Sequence, residues 1–182
     1  LPTVVADNGT GLRPLAVFIG PPAAGKSRLA KRVARILDVP LIDTDTVIVN
    51  AHGPIAEIFA THGEAHFRQL EEDAVAQALL TRAVVALGAG AVMTASTAEA
   101  LKGHHVVLLT TTAEAVSTRL NPKKRPLMRD GIDAWVALVA ERTPTYNRLA
   151  AAVWDTSSRP IDDIADDIAQ WVRTRTDETG GS

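Results

Sequence analysis

The octapeptide Gly20-Pro21-Pro22-Ala23-Ala24-Gly25-Lys26-Ser27 constrains this chain more than any other stretch. It fits G-x-x-x-x-G-K-[ST], a loop that turns its backbone N–H groups inward around phosphate oxygens. Gly20 and Gly25 let the backbone approach a ligand with no Cβ in the way. Lys26 is placed to reach the outer phosphates, and the Ser27 hydroxyl to bind the Mg²⁺ that accompanies them. The flanks agree with this reading. Leu15–Ile19 is a short apolar run, readable as a buried strand, and Leu29, Val33, Ile36 and Leu37 follow at helical spacing. Strand, glycine loop and helix in that order aim a helix N-terminus at an anion.

The rest of the chain is ordinary enough to let that motif lead. Its 182 residues suit one domain with a substantial core, and the net charge of −2 gives no general pull toward nucleic acid or an anionic membrane. With no Cys there is neither a disulfide nor a thiolate nucleophile or metal ligand. No apolar stretch approaches 18 residues, and no basic region followed by an apolar run opens the chain, so a soluble cytoplasmic protein is the default expectation. His62 and His66 are four apart, but Gly63 weakens a helix between them and no H-E-x-x-H is present, so no protein-bound transition metal is expected.

Short apolar runs alternate with helical patterns. Strands are predicted at Leu15–Ile19, Leu41–Asp43, Val84–Leu87, Val106–Leu109 and Ala152–Asp155. Helices are predicted at Ser27–Leu37, Ile55–Ala60, Ala65–Leu80, Ala113–Leu120, Ile132–Ala151 and Ile161–Val172. The alternation implies an α/β fold with a parallel sheet covered on both faces. Residues 1–13 and 174–182 read as flexible tails around a single domain over 14–173. Two segments interrupt the alternation: about 44–80, too long for one crossover helix, and about 119–130, where Arg119–Arg129 holds five basic residues and no acidic one. Both fall where ligands bind in α/β sheets, outside the carboxyl ends of strands.

Phosphoryl transfer needs positioned phosphates, neutralised charge and an oriented acceptor. Asp43 and Asp45, two apart at the end of the second strand, can face one site, Asp43 holding Mg²⁺ through water and Asp45 accepting a proton or hydrogen bond from an acceptor hydroxyl. The same residues also suit a turn and a helix cap. Arg68 lies off the apolar stripe of Phe67, Leu70, Ala74 and Ala78, which by itself describes a solvated face. Gly88, Ala89 and Gly90 end the third strand, either as backbone beside a substrate or as a simple turn. Arg125 is the candidate for stabilising charge on the transferring phosphoryl group, and Arg142 for pairing with a carboxylate; surface charge is the plain alternative for each.

Taken in order, these motifs resemble the shikimate kinases, small P-loop kinases of the nucleoside-monophosphate-kinase fold group. The resemblance runs from about Leu15 to Val172. It rests on Gly20–Ser27, Leu41–Asp45, Ile58–Glu64 leading into Phe67-Arg68 and Glu71-Glu72, Leu87–Ala91, Arg125-Pro126-Leu127, and Arg142-x-Pro144-x-Tyr146. It implies a three-layer P-loop kinase fold: a five-stranded parallel sheet in the order 2-3-1-4-5, helices on both faces, a substrate-binding insertion and a lid. It implies transfer of the γ-phosphoryl group of ATP to the 3-hydroxyl of shikimate, with Mg²⁺, in a protein that acts as a monomer without nucleic acid or membrane. By resemblance, Gly20–Ser27 with Arg119 and Arg125 bind ATP, and Ser27 and Asp43 serve the metal. Asp45, Arg68, Gly88, Ala89, Gly90 and Arg142 hold shikimate, and Lys26, Asp45 and Arg125 act in catalysis.

The sequence departs from the family pattern at three positions. Ala23 replaces the usual Gly, Ala24 a common hydroxyl residue, and Ala89 the middle of three usual glycines. A Cβ at 23 or 89 costs little at negative φ and more at positive φ. Two alternatives therefore stand beside the main reading: a related small-molecule kinase of gluconate type, and a binding homologue with little turnover.

Overall fold

The structure, a computed structural model, describes residues 12–119 and 131–179. Arg125 and most of the expected lid lie outside the described residues. Strands β1 (Ala16–Ile19), β2 (Leu41–Asp43), β3 (Val84–Ala86), β4 (Val106–Thr110) and β5 (Ala152–Asp155) form one sheet in the order β2-β3-β1-β4-β5. Every pairing is parallel. The expected order and α/β class are those observed.

The central strand explains why the first apolar run is unbroken. Alternate side chains of β1 point to opposite faces of the sheet. Ala16 and Phe18 enter a core with Leu29 and Val33 of helix α1 (Lys26–Ile36) and Ile164 and Ile168 of helix α7 (Ile161–Thr179). Val17 and Ile19 enter a second core with Val75 of helix α3 (Ile55–Ala78) and Tyr146 of helix α6 (Gly131–Leu149). Both faces are covered, so all four residues of β1 are buried. A smaller cluster joins Val116 of helix α5 (Ala113–Arg119) to Trp135 of α6.

The helices differ from the sequence reading in four places. Helix α2 (Thr44–His52) was not expected; its run of Val47, Ile48 and Val49 has weak helical amphipathicity, yet Asp43 caps it by accepting from the Thr46 N–H at 3.2 Å. The two predicted helices on either side of Gly63 are joined as α3 across a kink at that residue, φ 83° and ψ 170°. A 3₁₀ turn (Ala91–Met93) and helix α4 (Ala95–Ala100), also unexpected, are too short to show a period. Helix α7 runs on to Thr179, past Thr174 where a tail was expected, because Asp, Glu and Thr there permit helix without apolar periodicity.

β1 is the point where strand order reverses, with β3 on one side and β4 on the other. Such a point opens a crevice at the carboxyl ends of the strands. Gly20, which follows β1, shows how tightly the chain leaves the sheet: φ is +143°, and a Cβ there would lie 2.3 Å from the Leu109 carbonyl oxygen. Gly20→Ala is therefore expected to destabilise the fold by about 2–5 kcal/mol, combining backbone strain with overpacking. Urea unfolding measures this; an unchanged midpoint would contradict the described exit from β1.

Candidate active site

The phosphate loop is held by its carbonyls. Lys26 Nζ donates to the carbonyls of Gly20 at 2.7 Å and Pro21 at 2.9 Å. Trp135 Nε1–H donates to Pro22 O at 2.8 Å, Arg119 Nη1 to Ala23 O at 3.4 Å, and Thr156 Oγ1 to Ala24 O at 2.8 Å. The Gly25 carbonyl accepts from Leu29 N–H at 2.9 Å as the first turn of α1. Each carbonyl from 20 to 25 thus has a donor from the protein. The N–H groups at the start of α1 have no partner within the helix, no capping side chain serves them, and no acidic residue stands in the first turn. The result is an electropositive cradle fit for phosphate.

Ala23 sits in this loop at φ 67°. A left-handed alanine costs about 1–2 kcal/mol. Its methyl packs against the cluster of Val116 and Trp135, so some of that cost returns as apolar contact. Ala89 has no positive φ, so the Cβ there carries no such strain. Ala24 is buried, which suits a methyl better than an unpaired hydroxyl.

Beside the loop, Ser27 Oγ donates to Asp43 Oδ2, while Asp43 Oδ1 caps α2. A hydroxyl and a carboxylate with no softer donor suit Mg²⁺, which prefers oxygen and keeps several waters. Thr44, fully buried, donates to the Ala86 carbonyl and accepts from the Gly88 N–H, both at 3.4 Å. The end of β2 is thereby tied to the end of β3, and Asp45 stands beside Gly88.

Four side chains, from helices α2, α3 and α6, converge on Gly88–Gly90. A Cβ built on Gly88 would fall 2.7 Å from Asp45 Oδ1 and 3.0 Å from Glu71 Oε2. One built on Gly90 would fall 2.9 Å from Arg68 Nη2 and 3.2 Å from Arg142 Nη2. A side chain at either position would displace the ends of these groups. Asp45 thus faces one end of the glycine turn, and two guanidiniums face the other. Arg68 is no solvated-face residue: its side chain is 26% exposed and Nη1 contacts Glu71 Oε1 at 2.6 Å.

Glu71, Trp135, Tyr146 and Thr156 were not singled out by sequence as site residues. Glu71 stands three residues after Arg68 on α3, the spacing that pairs side chains on a helix, and is 2% exposed. Burial raises its carboxyl above the usual range despite the Arg68 hydrogen bond. Trp135, Arg142 and Tyr146 are seven and four apart, one face of α6. Tyr146 OH donates to Ala89 O at 2.6 Å; burial raises the phenol's pKa, so it remains a donor at neutral pH. Glu71, Trp135, Arg142 and Thr156 open on one cleft of about 1470 Å³, lined also by Lys26, Asp45, Arg68, Gly90 and Arg119. That exceeds the roughly 300–1,000 Å³ of a single-ligand pocket.

The phosphate loop, the Asp45 carboxylate and the Arg68 and Arg142 guanidiniums share this cleft. The sequence model of the family described as shikimate kinase matches residues 22–173. The chain belongs to the shikimate kinase family. The shikimate kinase of Mycobacterium avium (strain 104) is 44% identical over 153 residues, 81% of this chain and 87% of that protein. That of Corynebacterium efficiens is 38% identical over 160 residues, 86% and 95%. Among solved structures, shikimate kinase from Acinetobacter baumannii in complex with shikimate aligns with a TM-score of 0.81 at 28% identity, over 90% of this chain and 94% of that one. The activity is ATP-dependent phosphoryl transfer to shikimate, and the gluconate-type alternative gives way to it. Among the described residues, no helix is long and apolar enough to cross a membrane.

Asp45 is held above the usual carboxylate range by burial and then by the neighbouring Asp43, against opposing effects of Lys26 and Arg68. Its ionisation therefore works against folding: the native state keeps the proton to higher pH than the unfolded chain, and stability declines as pH rises through the folded value. Asp45→Asn removes this penalty. Its melting temperature is expected to gain on the parent's as pH rises from about 4 to 7. Thermal unfolding across that range tests it, and a constant difference between the two proteins would contradict the assigned shift.

Proposed function

We propose that phosphoryl transfer from MgATP to the 3-hydroxyl of shikimate takes place in this cleft, with the roles divided as follows. The N–H groups of Gly20–Ser27 receive the phosphates. Lys26 Nζ, which meets the Gly20 and Pro21 carbonyls at the mouth of the loop, turns its charge to the transferring group. Ser27 and Asp43 hold Mg²⁺, which supplies neutralisation of the phosphate charge when bound. Arg119, donating to Ala23 O, flanks the nucleotide side, and Arg125 adds charge to the transferring phosphoryl group.

Shikimate is a cyclic acid with one carboxylate and several hydroxyls. Its carboxylate meets Arg68 and Arg142, and its ring lies along Gly88, Ala89 and Gly90 with the hydroxyls toward Asp45. Asp45 accepts a hydrogen bond from the attacking hydroxyl and takes its proton as the oxygen–phosphorus bond forms. The bond from the γ-phosphorus to the bridging oxygen breaks, and ADP leaves. The observation that carries this reading is the convergence of Asp45, Arg68 and Arg142 on Gly88–Gly90 beside the phosphate loop. We take the enzyme to be a cytoplasmic monomer with one kinase domain over 14–173.

The test is ADP release with MgATP and either shikimate or gluconate, with product identified by mass. Turnover on shikimate alone is expected; preference for gluconate would overturn the acceptor assignment, and binding of both substrates without product would favour a non-turning homologue. Lys26→Ala is expected to lower kcat about 10²–10³-fold. Arg68→Ala should weaken shikimate binding by about 2–5 kcal/mol while ADP affinity holds; calorimetry separates the two, and an undiminished shikimate affinity would return Arg68 to a structural role.

A further inference from the structure

One face of α6 reaches both loops of the cleft. Trp135 is 3% exposed, and its single N–H donates to Pro22 O at 2.8 Å. Tyr146 is 2% exposed, and its hydroxyl donates to Ala89 O at 2.6 Å. Eleven residues separate them, about 16 Å along a helix. Arg142 lies between them and points into the cleft toward Gly90. Both aromatic rings are seated in apolar clusters, Trp135 with Val116 and Tyr146 with Val17, Ile19 and Leu87. The rings are therefore fixed, and each polar tip is aimed at a carbonyl of a half-buried loop residue.

We propose that Trp135 and Tyr146 are positioning residues that dock the phosphate loop and the acceptor loop on one rigid helix, and so set the separation across which the phosphoryl group passes. Neither touches a reacting atom. Tyr146 fixes the glycine turn on which Asp45, Arg68 and Arg142 converge, and Trp135 fixes the loop that receives phosphate. Pro22 and Ala89 accept these bonds in loops, outside any strand ladder or helix, so removing one donor frees one loop and leaves the sheet untouched. A helix serves this purpose well because transfer is sensitive to displacements on the order of 1 Å. The ligand arms of the test rest on the shikimate kinase reading; the exchange arm does not.

Tyr146→Phe removes one oxygen and keeps the ring; Trp135→Phe removes the N–H. Calorimetry with shikimate and with MgADP, and amide exchange of the ligand-free proteins over residues 20–25 and 87–92, read the effect. For Tyr146→Phe the shikimate Kd should rise about five- to tenfold, the cost of one hydrogen bond, with the MgADP Kd unchanged and faster exchange confined to 87–92. Trp135→Phe should show the mirror image: weaker MgADP binding, shikimate unchanged, and faster exchange confined to 20–25. Equal loss of both ligands with exchange raised throughout would mean a merely structural role and would overturn the proposal, as would no change in either variant. If the parent itself fails to bind shikimate, the acceptor assignment fails, and the exchange pattern alone still decides the inference. Should Trp135→Phe not fold, Tyr146→Phe decides it.

Discussion

Anion binding at the phosphate loop depends on where its carbonyls go. A peptide loop carries as many acceptors as donors, so a surface of N–H groups exists only if the carbonyl oxygens are engaged elsewhere. Lys26, Trp135, Arg119 and Thr156 supply those partners from within the loop, from α6, from α5 and from the segment after β5. The cradle is thus made by the whole carboxyl edge of the sheet, and not by the octapeptide alone. This also explains how Ala23 is tolerated at φ 67°: the surrounding contacts over-determine a conformation that alanine alone disfavours.

The acceptor end follows a complementary rule. Two guanidiniums brought to one glycine repel each other, and only an anion resolves the repulsion. Buried Glu71 meets Arg68 and offsets one of the two charges, so the Arg68–Arg142 pair keeps an excess positive charge. Asp45, on the far side of the glycine turn, is kept in a partly desolvated place where its charge opposes folding.

Much of this was legible in the sequence, for reasons that can be named. The phosphate loop is local in sequence and local in space, so its motif, its strand and its helix could be read together. The sheet order came from family resemblance, because periodicity reveals strands and not their neighbours. Asp45, Arg68 and Arg142 could be nominated by type, but their meeting at Gly88–Gly90 depends on sheet register and helix phase, which no spacing reports. Glu71 and Tyr146 entered only as motif residues of the resemblance, with no site role, because a charged residue and an aromatic on helices read as surface and core respectively. Helix α2 escaped because β-branched residues after Asp43 imitate a strand, and an N-cap outweighed them.

The account turns on a single geometry: phosphates on the amides after Gly20, and a small cyclic acid spanning Asp45 and the Arg68–Arg142 pair. A crystal structure of the protein with MgADP and shikimate tests it most directly. The expected result is the shikimate carboxylate between Arg68 and Arg142, a ring hydroxyl on Asp45, and the β-phosphate at the N-terminus of α1. Shikimate bound away from Gly88–Gly90, or seated there with its carboxylate toward Asp45, would contradict it.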